Sequence, residues 1–118
     1  MAQNNRGIGE EVIEGLQHAV SELARAEDGR QALAALAARF PSLEGSPGVR
    51  PFDAEALDAW AAGEPRGAGR YAAQFVLSVW NPQVEWACGR FSAVEALYKW
   101  DQRHRTTFCS FAIRPFGT

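Results

Sequence analysis

The glycines before the most apolar segment are spaced as in a nucleotide-binding turn. Gly67, Gly69 and Ala72 match the G-x-G-x-x-A form, in which backbone amides at a helix N-terminus cradle a pyrophosphate. That fingerprint needs a strand directly before it and an acidic residue about 20 positions later in a βαβ unit. Here a predicted helix ending at Gly63 comes first, followed by Pro65. We therefore interpret the glycines as a flexible hinge that permits close packing, and we expect no cofactor.

The histidines and cysteines are the other residues with metal or nucleophilic chemistry. His18, Cys88, His104 and Cys109 show no C-x-x-C or H-x-x-x-H spacing, so the sequence predicts no metal site. Both thiols are expected to be reduced and partly buried. His104 and Cys109 suit nucleophilic catalysis by type, but at i and i+5 they point in different directions on a helix. A role without catalysis is therefore favoured over an enzyme.

A basic cluster lies in the last third of the chain. Lys99, Arg103, His104 and Arg105 stand next to Trp100, a pattern suited to binding phosphate or single-stranded nucleic acid. The whole chain is acidic, with formal net charge −2 and pI near 5.7, whereas nucleic-acid-binding domains are generally basic. We interpret the cluster as a solvated face, and nucleic-acid binding remains the disfavoured alternative.

Charge is divided unevenly along the chain. Residues 1–65 contain five arginines against eleven acidic residues, net −6, whereas residues 66–118 are net +4. This asymmetry favours contact between an acidic N-terminal helix and a protein partner or a second copy of the chain. The predicted contact surface is the apolar stripe of that helix, formed by Ile8, Val12, Leu16, Val20 and Leu23.

Four tryptophans are many for 118 residues. Trp60, Trp80 and Trp100 fall on apolar stripes and are predicted to be core residues, with Trp80 at the centre. Trp86 lies in a connection between helices, where it plugs the base of the bundle or anchors a partner. A ligand-binding or catalytic pocket is a further alternative, near Tyr71, Gln74, Trp80 and Trp100.

The elements that position these residues are predicted to be helices. Apolar residues at spacings of three and four predict helices at 8–26, 30–40, 91–100 and 101–116, and another between an N-cap at Asp53 and Gly63. Asp101 is the predicted cap of the last helix, and Val94 lies on the predicted apolar face of 91–100, where residues are spaced by three. A helix at 70–81 is predicted from its polar residues, Arg70, Gln74, Ser78 and Asn81, whose spacings of four, four and three form one narrow stripe on a helix. The pair Asp28 and Gly29 marks the predicted break between the first two helices. Asp58 is expected to face outward. Strands over 75–80 or 106–113 are the alternatives, because β-branched and aromatic residues are frequent there.

The predicted fold is all-α, a small single-domain bundle of five to six helices; α+β with a short C-terminal strand pair is the alternative. A helical hairpin over about 8–40 is joined by a loop at 41–51, the candidate mobile segment, to a helical subdomain at 52–116. The longest uncharged apolar stretch, 71–84, has 14 residues, whereas a bilayer helix needs about 20. Glutamates occupy the positions where a signal peptide would be apolar. We expect a bacterial cytoplasmic protein that acts through protein contacts, as a self-associating accessory or adaptor.

Overall fold

The computed structural model describes residues 27–117, and the regular structure in them is entirely helical. The elements are α1, described over 27–38; α2, Ala54–Ala62; α3, Ala68–Trp80; α4, Ala93–Lys99; α5, Gln102–Ile113; and a 3₁₀ turn, Pro115–Gly117. The all-α prediction is confirmed, and the two segments with strand composition are helices. None of the described helices is long and apolar enough to cross a bilayer. The predicted helix at 8–26 lies outside the described residues.

Helix α1 contains Asp28 and Gly29, so the predicted break at this pair is wrong. A glycine inside a helix costs only about 1 kcal/mol, and this one lies close to Trp80. A Cβ built on Gly29 would stand 3.8 Å from the Trp80 ring, and the Arg30 guanidinium lies 5.9 Å from the centre of that ring. The helix ends at 38, two residues earlier than predicted, and Pro41 follows its last turn. Its buried face consists of Leu33, Leu36 and Ala37.

The loop between α1 and α2 is part of the core, although its prolines and glycines predicted a mobile segment. Leu43 and Val49 are 0% and 1% exposed. Gly48 has φ +82 and carries its backbone so close to α2 that an added Cβ would clash with Leu57 N. The loop ends at the predicted N-cap, where Asp53 accepts a hydrogen bond from Ala56 N at 3.1 Å. The turns therefore pack against α2.

Helix α3 is the central element, and it is helical as its polar spacing predicts. Its residues 71–77 are all buried. Val79 and Trp80 are only half-buried, so the predicted central position of Trp80 is wrong. They belong to the last turn of α3, where Trp80 packs against Phe52 at 5.3 Å between ring centres. The fully buried tryptophan is Trp100, at 1% exposure.

Helices α4 and α5 close the bundle. Helix α4 is shorter than predicted, and Val94 is 80% exposed instead of facing the core. Residues spaced strictly by three drift by about 60° per step around a helix, so Val94 and Trp100 do not share a face. Helix α5 begins at an Asp101 cap, as predicted. It adds its rings to an aromatic cluster made of Phe40, Phe75, Phe91, Trp100, Phe108 and Phe111.

Candidate functional site

The connection between α3 and α4 is held against the bundle through the backbone of Ala87 and Cys88. The Asp58 carboxylate accepts hydrogen bonds from Ala87 N at 3.0 Å and Cys88 N at 2.8 Å. The Cys88 carbonyl accepts from Arg70 Nε at 3.0 Å and from Gln74 Nε2 at 2.7 Å. The prediction that Asp58 faces outward is therefore wrong. Side chains of α2 and α3 together hold this connection in place.

A cavity of about 350 Å³ lies between α3 and this connection. Its volume is near the lower end of the range for small-ligand pockets, which is about 300–1,000 Å³. The polar stripe predicted on α3 supplies three of the lining side chains. The lining residues are Gln74, Ser78, Asn81, Pro82, Val84, Glu85, Trp86, Gly89, Arg90 and Phe91.

Gln74 is the unusual side chain of this cavity. It is 8% exposed, and its Oε1 is the one buried side-chain polar atom without a hydrogen-bond partner among the described residues. The amide cannot rotate to exchange its ends without losing the bond from Nε2 to Cys88 O. Gly89, at φ +101, packs against Nε2, since a Cβ there would stand 3.1 Å from it. An unpaired buried acceptor costs about 1–3 kcal/mol.

The mouth of the cavity combines apolar and charged groups. Val84 is 41% exposed, and Glu85 and Arg90 are exposed residues of opposite charge. Neither charge forms an ion pair within residues 27–117. Trp86 is half-buried, packs against the core and donates its indole N–H to Asn81 O at 3.3 Å. Trp86 is thus both a packed residue and a wall of the cavity.

Comparison with protein-family models, curated proteins and solved structures gives no match. The proposed function therefore rests on the geometry of the described residues. Of the four residues near which the sequence predicts a pocket, Gln74 lines this cavity, whereas Tyr71, Trp80 and Trp100 do not. Tyr71 and Trp100 are buried, and the Trp100 indole donates to Ala68 O at 3.1 Å.

A second polar group joins the loop after α1 to α5. His104 Nε2 lies 2.7 Å from Ser42 Oγ, and His104 Nδ1 lies 2.7 Å from Asp101 Oδ1. These distances equal those of a Ser-His-Asp hydrolase triad, and sequence spacing gave no sign of them. The burial is reversed, however: the Asp101 side chain is 65% exposed and His104 is 6% exposed. The Ser42 N–H, a natural oxyanion donor, also points at Nε2, at 3.3 Å. We assign the group a structural role.

The predicted basic cluster is divided by this arrangement. His104 is buried with both ring nitrogens engaged, so it is not part of an exposed face. Lys99, Arg103 and Arg105 are exposed, and Arg105 Nε donates to Leu97 O at 2.8 Å. Of the four residues of the predicted cluster, three are therefore exposed.

The glycines of the G-x-G-x-x-A motif serve packing. Gly67 is the N-cap of α3, and α2 and a turn precede it, where the nucleotide fingerprint requires a strand. A Cβ built on Gly69 would lie 3.2 Å from the Trp60 ring. Close approach of α2 and α3 thus explains the second glycine.

The two thiols differ in accessibility. Both cysteines are free; Cys88 is buried, whereas Cys109 is exposed, contrary to the predicted partial burial of both. Burial, followed by the hydrogen bond and the negative charge of Asp58, raises the pKa of Cys88 to about 12. Within residues 27–117, no group of three or more His, Cys, Asp or Glu side chains could hold a metal ion. The predicted contact residues from Ile8 to Leu23 lie outside the described part of the chain.

Proposed function

We propose that this chain is an accessory or adaptor protein that binds a protein partner, and that the partner docks at the cavity beside α3. The observation that carries the proposal is the unpartnered Oε1 of Gln74 in the lining of this cavity. Buried polar groups are paired in most native structures, so an orphan beside a cavity favours a bound donor. The predicted bacterial cytoplasmic setting belongs to the same proposal and rests on the sequence alone.

The rim of the cavity suits a protein partner. Pro82, Val84 and Glu85 are exposed around it, so a partner would gain apolar contact outside the cavity while inserting one side chain. Interfaces commonly concentrate their binding energy in such an inserted anchor, surrounded by contacts that exclude water. Self-association through the N-terminal stripe remains a separate prediction.

Site-specific photo-crosslinking tests the docking site. A photoreactive amino acid replaces Val84 at the rim or, as a control, Tyr98, which is 85% exposed on α4. We expect one partner to crosslink from position 84 in the source cell and not from position 98. Crosslinking of the same partner from position 98 alone would overturn the site.

Reconstitution with the purified partner then measures affinity. Ser78→Phe fills the cavity and should weaken binding about tenfold or more, whereas Val94→Glu on α4 should leave it unchanged. Because a larger side chain in α3 could also unfold the chain, Val84→Glu at the exposed rim provides a second test. If folded Ser78→Phe and Val84→Glu both bind the partner as the parent does, the proposed docking site is wrong.

A further inference from the structure

We infer that the side chain received by this cavity is an arginine of the partner, an inference that rests on the proposed docking site. Two side chains of the lining, Gln74 and Ser78, carry oxygen acceptors. Gln74 Oε1 is unpartnered, and Ser78 Oγ donates its hydrogen to Phe75 O at 2.6 Å, so its lone pairs remain free to accept. A guanidinium carries five N–H donors and no acceptor, which matches this arrangement.

Glu85 supplies a negative charge at the mouth of the cavity. Glu85 lines the cavity, is exposed, and has no ion-pair partner within residues 27–117. An ion pair at a half-exposed rim contributes modestly to affinity and weakens as salt rises.

The walls suit a planar cation in particular. Trp86 and Phe91 both line the cavity. Because the indole N–H already donates to Asn81 O, Trp86 offers its π system and no competing donor. A guanidinium stacks on aromatic faces and keeps its edge donors for oxygen atoms, which a compact ammonium does less well.

Arg90 is the cation of the lining, and it opposes this occupant. It is exposed at the mouth and forms no ion pair with any residue from 27 to 117. An incoming guanidinium would meet its repulsion and the attraction of Glu85 together. Neutral replacements at these two positions should therefore change the affinity in opposite directions, a pattern that a neutral ligand would not produce.

Titration of the full-length protein with small probes tests the occupant. The probes are N-acetyl-arginine N-methylamide and its uncharged counterpart, N-acetyl-citrulline N-methylamide. Nuclear magnetic resonance follows the Gln74 side-chain amide and the Trp86 indole N–H. We expect the arginine probe to shift both signals and to bind about tenfold tighter than the citrulline probe, because it makes charge-assisted hydrogen bonds. Equal affinity for the two probes, or no shift at Gln74 and Trp86, would overturn the inference.

Variants of the lining residues test the contribution of each to binding the arginine probe. Glu85→Gln should weaken the arginine probe about two- to fivefold, and Arg90→Gln should tighten it, while Arg66→Gln, away from this cavity, leaves it unchanged. Gln74→Met should lose binding and stay folded, because Cys88 O still accepts from Arg70 Nε. If the partner crosslinks at position 84 but its affinity is the same with Glu85→Gln and Arg90→Gln, the docking site is supported and the inference of an arginine is wrong. If the arginine probe binds here but the partner does not dock, the cavity accepts a guanidinium, but the proposed function is wrong and the partner's arginine with it.

Discussion

His104 and Ser42, 62 positions apart, are joined by a hydrogen bond of 2.7 Å between Nε2 and the hydroxyl group. The Ser42 backbone N–H also points at this nitrogen, at 3.3 Å. On the other side of the ring, His104 Nδ1 lies 2.7 Å from the Asp101 carboxylate. These contacts fix the loop after α1 to the first turn of α5.

The Asp101 carboxylate should make stability depend on pH in the acid range. Its pKa is lowered from the ordinary 3.8 by the hydrogen bond from the His104 backbone N–H, and then by the His104 side chain. A carboxyl whose pKa is lower in the folded state contributes stability above 3.8, and this contribution is lost as the pH falls through the folded-state value. Asp101→Asn should therefore reduce stability near neutral pH and cease to do so in strong acid.

Urea unfolding across this range measures the effect. Asparagine is also a good N-cap, so the comparison isolates the charge. Glu44→Gln, at an exposed loop position, serves as the control and should leave the pH profile unchanged. A difference between Asp101→Asn and the parent that persists undiminished in strong acid would contradict the assignment.

Trp100 should matter more to stability than Trp80. Trp100 is 1% exposed, packs on Phe40 and His104 and donates to Ala68 O, so Trp100→Ala should cost about 3–5 kcal/mol. Trp80 is half-buried in the last turn of α3, and Trp80→Ala should cost about 1–2 kcal/mol. Equilibrium denaturation of the two variants measures both losses in the free energy of unfolding. A larger loss for Trp80→Ala would contradict the assignment of Trp100 as the fully buried core tryptophan.

Two glycines of the loop between α1 and α2 form a matched pair. Both have positive φ, +80 at Gly45 and +82 at Gly48, but only Gly48 lies against other atoms. Gly45→Ala should cost about 1 kcal/mol for its backbone conformation alone. Gly48→Ala adds a clash with the backbone of Asp53 and Leu57 and should cost about 3 kcal/mol or more. Equal denaturation midpoints for the two variants would show that this loop does not pack as described.

Local patterns predicted most of the helices. Asp53 and Asp101 act as N-caps where the sequence places them, and the polar spacing of α3 correctly indicates a helix. These signals are local, because a cap or an amphipathic face involves residues within a few positions of each other. The errors arise where packing outweighs local propensity, as at Gly29 beside Trp80.

Less of the candidate site than of the helices could be predicted from the sequence. The polar stripe of α3 and the loop position of Trp86 were visible, and both belong to the cavity. The pairing of Asp58 with Ala87 and Cys88 spans about thirty positions and carries no periodic signal. Without that contact, the course of the connection between α3 and α4 could not be deduced, so the cavity could not be assembled from sequence.

The two cysteines should differ sharply in reactivity. Only a thiolate attacks a maleimide quickly, and the raised pKa of Cys88, about 12, together with its burial, keeps that thiol protonated and shielded. Cys109 is exposed on α5. Mass spectrometry of the native protein should therefore find one label, at Cys109, and Cys109→Ser should abolish it. Denaturant should expose Cys88 to the reagent, whereas rapid labelling of Cys88 in the native state would mean that the connection it anchors opens readily.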